Sequence, residues 1–306
     1  MGFRRHPVRV VVPATSANLG PGFDCAGLAL DIEDELIAMI SDDEGVLIEA
    51  EGEGCEEVPL DASHLVARAM ALAFHCMGEQ PPGFVLKCRN AIPHGRGLGS
   101  SAAAIIGGLV LARALVEDGS DRFLDQDLLQ WALTMESHPD NVSAALYGGL
   151  TFAWISDAGR ACCIRLEPHP EIVPILVIPT GQVSTAHART ALPGSVPLAD
   201  AAFNLARASV LVHALTKDPS LLLEATQDRL HQQARRSVYS ASMELVDALR
   251  EASIPATISG AGPSVIVFGN DQDVPLVQLH AGDGWLVRQS RVNPSGARVE
   301  PVGEKP

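Results

Sequence analysis

Hydrophobic and polar positions along the chain follow two periods, one of about two residues and one near 3.6. Residues 8–12 form a β-branched run cut by Pro13, which reads as a strand entering a loop. Short apolar runs at 36–40 and 46–48 read as strands on either side of Asp42-Asp43-Glu44-Gly45, a hairpin-type turn, and residues 84–88 as another strand. Between these, Leu65, Ala69, Leu72 and Cys76 share one face at helical spacing, which predicts a helix capped by Ser63 and running to Met77. An Ala-rich helix is predicted from Ser100-Ser101 through Val116, and a further one over 125–136 that stops before Pro139. Strands follow at 150–155, 161–166 and 172–178. The second half alternates helices over 198–215, 221–234 and 241–252 with strands at 256–258, 264–268 and 285–287. Helices and strands mix with few clean βαβ repeats, so the expected fold class is α+β. A boundary is expected near residue 165, where Pro168 and Pro170 separate two strands, giving an N-terminal unit of 1–165 and a C-terminal unit of 166–306.

Composition narrows the function. With 47% apolar and 19% charged residues the chain is too hydrophobic to be disordered, and 306 residues suffice for two sizeable cores. A net charge of −15 argues against non-specific attraction to nucleic acid or anionic lipid and favours a small-molecule partner. The longest apolar stretch, 102–111, is shorter than the roughly 20 residues of a membrane span, and the N-terminal residues lack the apolar core of a signal peptide. A cytoplasmic protein is expected. Six cysteines without CxxC spacing (Cys25, Cys55, Cys76, Cys88, Cys162 and Cys163) read as small buried thiols in a reducing compartment.

Three segments carry chemistry. The strongest is GRGLGSSAAAII, a glycine-rich loop running into a helix whose first N–H groups have no intrahelical partners and attract phosphate. Gly95, Gly97 and Gly99 let the main chain approach an anion, and Ser100 and Ser101 add hydroxyls that hydrogen-bond phosphate or ligate Mg²⁺. No Walker loop is present. Gly97-x-Gly99-x-x-Ala102 meets the loose dinucleotide fingerprint, though eight residues with a proline separate it from the preceding strand. Taken alone, the segment reads equally as a tight turn before a buried helix. The second segment, Glu136-Ser137-His138-Pro139-Asp140-Asn141, crowds four functional side chains around a proline turn; singly, Glu136 reads as a surface charge, His138 as a structural histidine and Asn141 as a helix cap. The third, Ser259-Gly260-Ala261-Gly262-Pro263-Ser264, reads either as a hairpin turn or as main chain packed closely against another loop or a ligand.

Taken in order, PATSANLGPGFDCAGLAL, GRGLGSSAAA and SGAGPSVIVF resemble the three motifs of the GHMP small-molecule kinases, and NLGPGFD, HPDN, STAHARTALP and DRLHQQAR are similar to segments of the homoserine kinases among them. The resemblance spans residues 11–268. It implies an N-terminal domain like ribosomal protein S5 domain 2 and a ferredoxin-like C-terminal domain, and transfer of the ATP γ-phosphoryl group to the side-chain hydroxyl of L-homoserine. It further implies that Pro93, His94, Gly95, Arg96, Gly97, Leu98, Gly99, Ser100, Ser101, Ala102 and Ala103 wrap the triphosphate, and that Ser101, with Ser100 as a second candidate, and Glu136 hold Mg²⁺. Arg189 and Arg235 are then expected on the substrate carboxylate and Asp24 on its ammonium, with Asn18 and His138 near the rest of the amino acid. Asn18 and Asn141 are expected to orient the hydroxyl, which loses its proton late, with Asp140 as general base the less favoured version. A homodimer is common among such enzymes. The helix that usually opens Asn-Leu-Val at the adenine contact opens here as His64-Leu65-Val66. Competing readings are a GHMP kinase for another alcohol such as mevalonate, an inactive nucleotide-binding regulator, and a dinucleotide-dependent oxidoreductase.

Overall fold

The computed structural model describes residues 2–181 and 185–302, with backbone alone at 185–187. β1 (Val8–Ala17) pairs antiparallel with β2 (Ala26–Ser41), and the first sheet runs β11-β1-β2-β4-β3, with β3 (Gly45–Gly52), β4 (Gly83–Asn90) and β11 (Arg298–Glu300). β2 is one long strand, not the short run expected at 36–40. Its first five residues are buried on both faces, so the in–out alternation that betrays a strand begins only at Asp31. Its two halves take different partners: β4 pairs with residues 35–41, while β5 (Leu150–Ile155) pairs with residues 26–28 and carries β6 (Ala161–Leu166) at its outer side.

The expected hairpin at 42–45 is not formed. β3 lies parallel to β4 and is separated from β2 by it, because α1 (Leu65–Met77) carries the chain across the sheet between β3 and β4. Nor does Ser63 cap α1. Its hydroxyl donates to Asp61 at 2.5 Å, and His64 Nδ1 accepts the Val66 N–H at 3.2 Å instead. The Ala-rich α2 (Ser100–Leu115) packs on α1 and β1, followed by α3 (Gly119–Arg122), α4 (Asp125–Ala132) and α5 (Pro139–Tyr147). α4 stops four residues short of the expected end, and HPDN opens α5 with Pro139 in its first turn.

The second sheet has the order β10-β7-β9-β8, all antiparallel: β7 (Val173–Pro179), β8 (Ala256–Ile258), β9 (Val265–Gly269) and β10 (Trp285–Gln289). Its helices are α6 (Thr185–Thr190), α7 (Leu198–Thr216), α8 (Leu222–Ala225), α9 (Ser240–Glu251) and α10 (Val274–Ala281). Alternate residues of β7 and β9 face different cores. Leu176, Ile178, Ile266 and Phe268 join Leu211 and Leu215 of α7 in the main core, whereas Ile175, Val177, Val265 and Val267 pack with Val246 and Leu249 of α9. α7 is long and apolar enough to cross a membrane by composition, yet its inner face lies in this core and its buried Asn204 donates to Asp228.

The helix expected over 221–234 is broken after Ala225. The Asp228 carboxylate accepts the N–H groups of Leu230, His231 and Gln232 at 2.8–3.0 Å, so a side chain takes donors that a helix would have used. Residues 290–300 then return to the first sheet, where β11 pairs with β1. Among the cysteines only Cys88 is fully buried; Cys76 is exposed, the other four are half-buried, and all six are free thiols.

Candidate active site

Three loops from distant parts of the chain meet where the two sheets adjoin. The Ser259 hydroxyl donates to the Gly97 carbonyl at 2.7 Å and accepts from the Ser16 hydroxyl at 2.8 Å, the Gly260 N–H donates to Ala17 O at 2.8 Å, and Asn18 Nδ2 donates to Gly260 O at 3.1 Å. Close approach demands glycine at 97, where φ is +72° and a Cβ would lie 2.2 Å from the Ser259 carbonyl. Residues 259–264 are thus both the turn between β8 and β9 and the main chain packed against the phosphate-type loop.

A cleft opens between them, lined by Gly95, Gly97, Leu98, Gly99, Ser100 and Ser101 of the glycine-rich segment together with Asn18, Asp24, Glu136, His138, Asp140, Asn141, Arg189, Arg235, Gly260 and Ala261. Every expected substrate, metal and orienting residue therefore faces one space. Asn141 Oδ1 accepts from the Thr15 hydroxyl at 2.8 Å and its Nδ2 leans on Asp140 at 3.4 Å, leaving one N–H for the cleft. Asn18, at φ +56°, accepts the Asp24 N–H at 2.8 Å, which leaves one lone pair and one N–H. Asp140 is 2% exposed, and burial pushes its carboxyl up to about 6. His138 lies 3.4 Å from Glu136 and 3.7 Å from Asp24, and the Glu136 carboxylate raises its imidazole above the usual range.

The cations differ in how they are satisfied. Arg189 pairs with Asp24 through two contacts of 2.7 and 3.2 Å. Arg235 is 1% exposed, donates to Ala188 O at 3.0 Å and faces His231 Nδ1 at 3.4 Å, and among the described residues no carboxylate lies within 4.0 Å of it. Burial lowers its affinity for its proton. Both guanidinium groups rest on the Phe23 ring, at 5.5 Å for Arg189 and 5.3 Å for Arg235, and His231 stacks on the same ring at 5.1 Å. Phe23, His231 and Thr15 carry no isolated motif signal; they matter through contacts between segments more than 100 residues apart. Ser184, in the STAHARTALP segment, lies outside the described residues.

A second cavity, apolar over most of its surface, shares Ser100 and Ser101 with the first and is lined by Asp34, Leu36, Val58, Pro59, Ser63, His64, Leu65, Val66, Asn90, His94, Ala103 and Ala104. His64 thus lines it while capping α1, and burial, then the neighbouring His94, lowers its imidazole. The glycine-rich segment splits accordingly: Gly95, Gly97, Leu98, Gly99, Ser100 and Ser101 face the charged cleft, His94 and Ala103 the apolar one. The Arg96 guanidinium turns away to the carbonyls of Pro179 and Thr180, both at 2.9 Å, Ala102 is buried in the core, and Pro93 lines neither cavity. The dinucleotide reading loses its support, since β4 and β5, the strands before and after α2, do not pair with each other as the strands of a dinucleotide-binding unit would; each pairs antiparallel with a different half of β2. No group of three or more carboxylate, imidazole or thiol side chains suited to a metal occurs among the described residues.

The models "GHMP kinases N terminal domain" and "GHMP kinases C terminal" match residues 64–149 and 211–281. The chain is 48% identical over 300 residues to the homoserine kinase of Streptomyces avermitilis, covering 98% of each, and 43% identical over 288 residues to that of Mycobacterium tuberculosis, covering 92% of this chain and 91% of the other. The crystal structure of homoserine kinase from Cytophaga hutchinsonii superposes with a TM-score of 0.86 at 26% identity, over 98% of this chain and 99% of that one. L. major mevalonate kinase, at 14% identity and a TM-score of 0.66 over 94% and 96%, shares the fold. The chain belongs to the homoserine kinase family of the GHMP kinases.

Proposed function

We infer that this protein transfers the γ-phosphoryl group of ATP to the side-chain hydroxyl of L-homoserine, yielding O-phospho-L-homoserine for threonine synthesis. The observation that carries this reading is Arg235: a guanidinium 1% exposed, with no carboxylate partner among the described residues, opening on the same cleft as the glycine-rich loop. Such a buried cation calls for an anion from the ligand. The adjoining apolar cavity suits a purine and the N–H groups at the start of α2 suit phosphates, so a nucleotide laid across Ser100 and Ser101 directs its last phosphate towards Asp24, His138 and the two arginines.

The α-carboxylate of homoserine sits on Arg235 and Arg189, and its ammonium on Asp24. The free N–H of Asn141 donates to the hydroxyl oxygen and the free lone pair of Asn18 accepts its hydrogen, aligning the nucleophile in the manner that phosphoryl transfer requires. An amide takes up no proton at neutral pH, so the proton leaves late, to the transferred phosphate. Asp140 keeps Asn141 in place through its backbone and side-chain amides. The Ser101 hydroxyl and the Glu136 carboxylate offer oxygen donors in one cleft, which fits a Mg²⁺ whose remaining ligands are phosphates and water; Ser100 is the alternative hydroxyl. Bound there, the ion neutralises charge on the phosphates. A cytoplasmic setting, where ATP is abundant and thiols stay reduced, agrees with six unpaired cysteines.

A coupled ADP-release assay with Mg-ATP and L-homoserine, L-threonine, L-serine or mevalonate tests the reading. Release should depend on homoserine, and Arg235→Leu should lower kcat/KM for it on the order of 10²–10³-fold, as for loss of one partner of a buried charge pair worth ~2–5 kcal/mol. Preferred turnover of mevalonate, or ATP binding without turnover of any acceptor, would overturn it.

A further inference from the structure

We propose that the Asp24–Arg189 ion pair is a charge-exchange filter, which gives way to a ligand carrying both an ammonium and a carboxylate and resists a ligand carrying only the ammonium. The proposal deepens the functional reading above and rests on it. Without substrate, Asp24 is already neutralised by Arg189, at 2.7 and 3.2 Å, whereas Arg235 has no carboxylate partner among the described residues. The two cations are therefore not equivalent.

A ligand ammonium competes for Asp24 with Arg189, which holds both carboxylate oxygens, while His138 Nε2 stands 3.7 Å from Oδ2. The displaced guanidinium is then left on the Phe23 face beside Arg235, two like charges sharing one ring at 5.5 and 5.3 Å. A ligand carboxylate removes that penalty, because it bridges the two guanidinium groups that the exchange brings together. In the exchange the ammonium takes the place of Arg189 on Asp24, Arg189 turns to the carboxylate, and Arg235 gains its first anionic partner. Every charge ends paired. Arg189 has the freedom to make this move: its side chain is 36% exposed and sits on the short α6, while Arg235 is held at 1% exposure by Ala188 O and His231. The filter thus selects α-amino acids as a class, through a penalty on amines that lack the carboxylate.

The distinguishing consequence is a change of sign. If Arg189 were only a carboxylate clamp, its removal would leave an amino alcohol unaffected; if it also guards Asp24, its removal frees Asp24 for that ammonium. L-Homoserinol, in which CH₂OH replaces the carboxylate, is the probe, titrated calorimetrically at pH 7.5 into the wild-type protein, Arg189→Ala and Arg189→Gln. Homoserinol should bind both variants at least threefold more tightly than wild type, while L-homoserine binds them at least tenfold more weakly and KM for ATP stays within twofold. Unchanged, weaker or undetectable homoserinol binding by variants that retain ATP binding would overturn the exchange. Failure of the wild-type protein to phosphorylate homoserine would instead remove the functional reading, and the calorimetric comparison would still decide whether Asp24 is guarded.

Discussion

His231 joins two parts of the site with one ring. Fully buried, it donates from Nε2 to the Gly20 carbonyl at 2.7 Å, which leaves Nδ1 as the lone pair facing Arg235 at 3.4 Å. Burial lowers its imidazole below the usual range, and a second proton would set an N–H against the guanidinium. The neutral ring therefore fixes Arg235 relative to the Gly20-Pro21-Gly22 turn that carries Asp24, and does so without touching ligand. Two substitutions separate these contacts. Glutamine reproduces a donor near Nε2 and asparagine an acceptor near Nδ1, so His231→Asn should keep KM for homoserine within threefold, whereas His231→Gln should raise it about tenfold, the size of one lost hydrogen bond to a charged group. KM for ATP should stay unchanged in both. A merely structural histidine would lower the folded fraction in both variants and move neither KM.

Among elements, the three loops act as one because Ser259 links them. Its hydroxyl joins the buried Ser16 Oγ and the half-buried Gly97 carbonyl, so Ser259→Ala leaves both short of a partner and should cost ~1–3 kcal/mol in a denaturant titration. The neighbouring Gly99 tests the coupling to chemistry. It holds φ at +70°, and a Cβ there would meet the Thr15 hydroxyl at 1.9 Å, the group that orients Asn141. Gly99→Ala should accordingly reduce kcat at least tenfold, read in the ADP-release assay at saturating substrates, since Asn141 loses the partner that fixes its amide. These dependencies also explain what could be read along the chain. α1, α2, α7 and α9 and most strands appear in local periodicity, and the charged residues of the cleft appear because they stand in segments that resemble those of the homoserine kinases. The order β2-β4-β3 and the return of β11 to β1 do not, because strand pairing is decided between segments far apart. Nor does the break after Ala225, where apolar spacing continues but the Asp228 carboxylate captures three backbone donors. Phe23 and Thr15 are legible only once the loops are seen touching.

Two buried carboxyl groups among the described residues, Asp34 and Asp140, oppose folding when they ionise. Asp34 is 5% exposed and Asp140 2%, and desolvation lifts each to about 6 from an ordinary value near 3.8. A carboxyl that holds its proton more tightly when folded leaves the native state with more bound protons between those two values. Stability therefore falls as pH rises from about 4 to about 6, and the full penalty, at most ~3 kcal/mol per group at 1.36 kcal/mol per pH unit, persists at pH 8. Asp34 lines the apolar cavity and not the charged cleft, and its Oδ1 accepts the Ala91 and Ile92 N–H groups at 2.7 and 2.9 Å, a role that an amide oxygen also fills. Asp34→Asn keeps those bonds and removes the ionisation. The variant should match wild type in urea titrations near pH 3.5 and exceed it by ~1–3 kcal/mol at pH 8, the gap opening from about pH 4 to about 6. An offset that stays constant from pH 3.5 to 8 would mean that packing around residue 34, and not its charge, sets the difference.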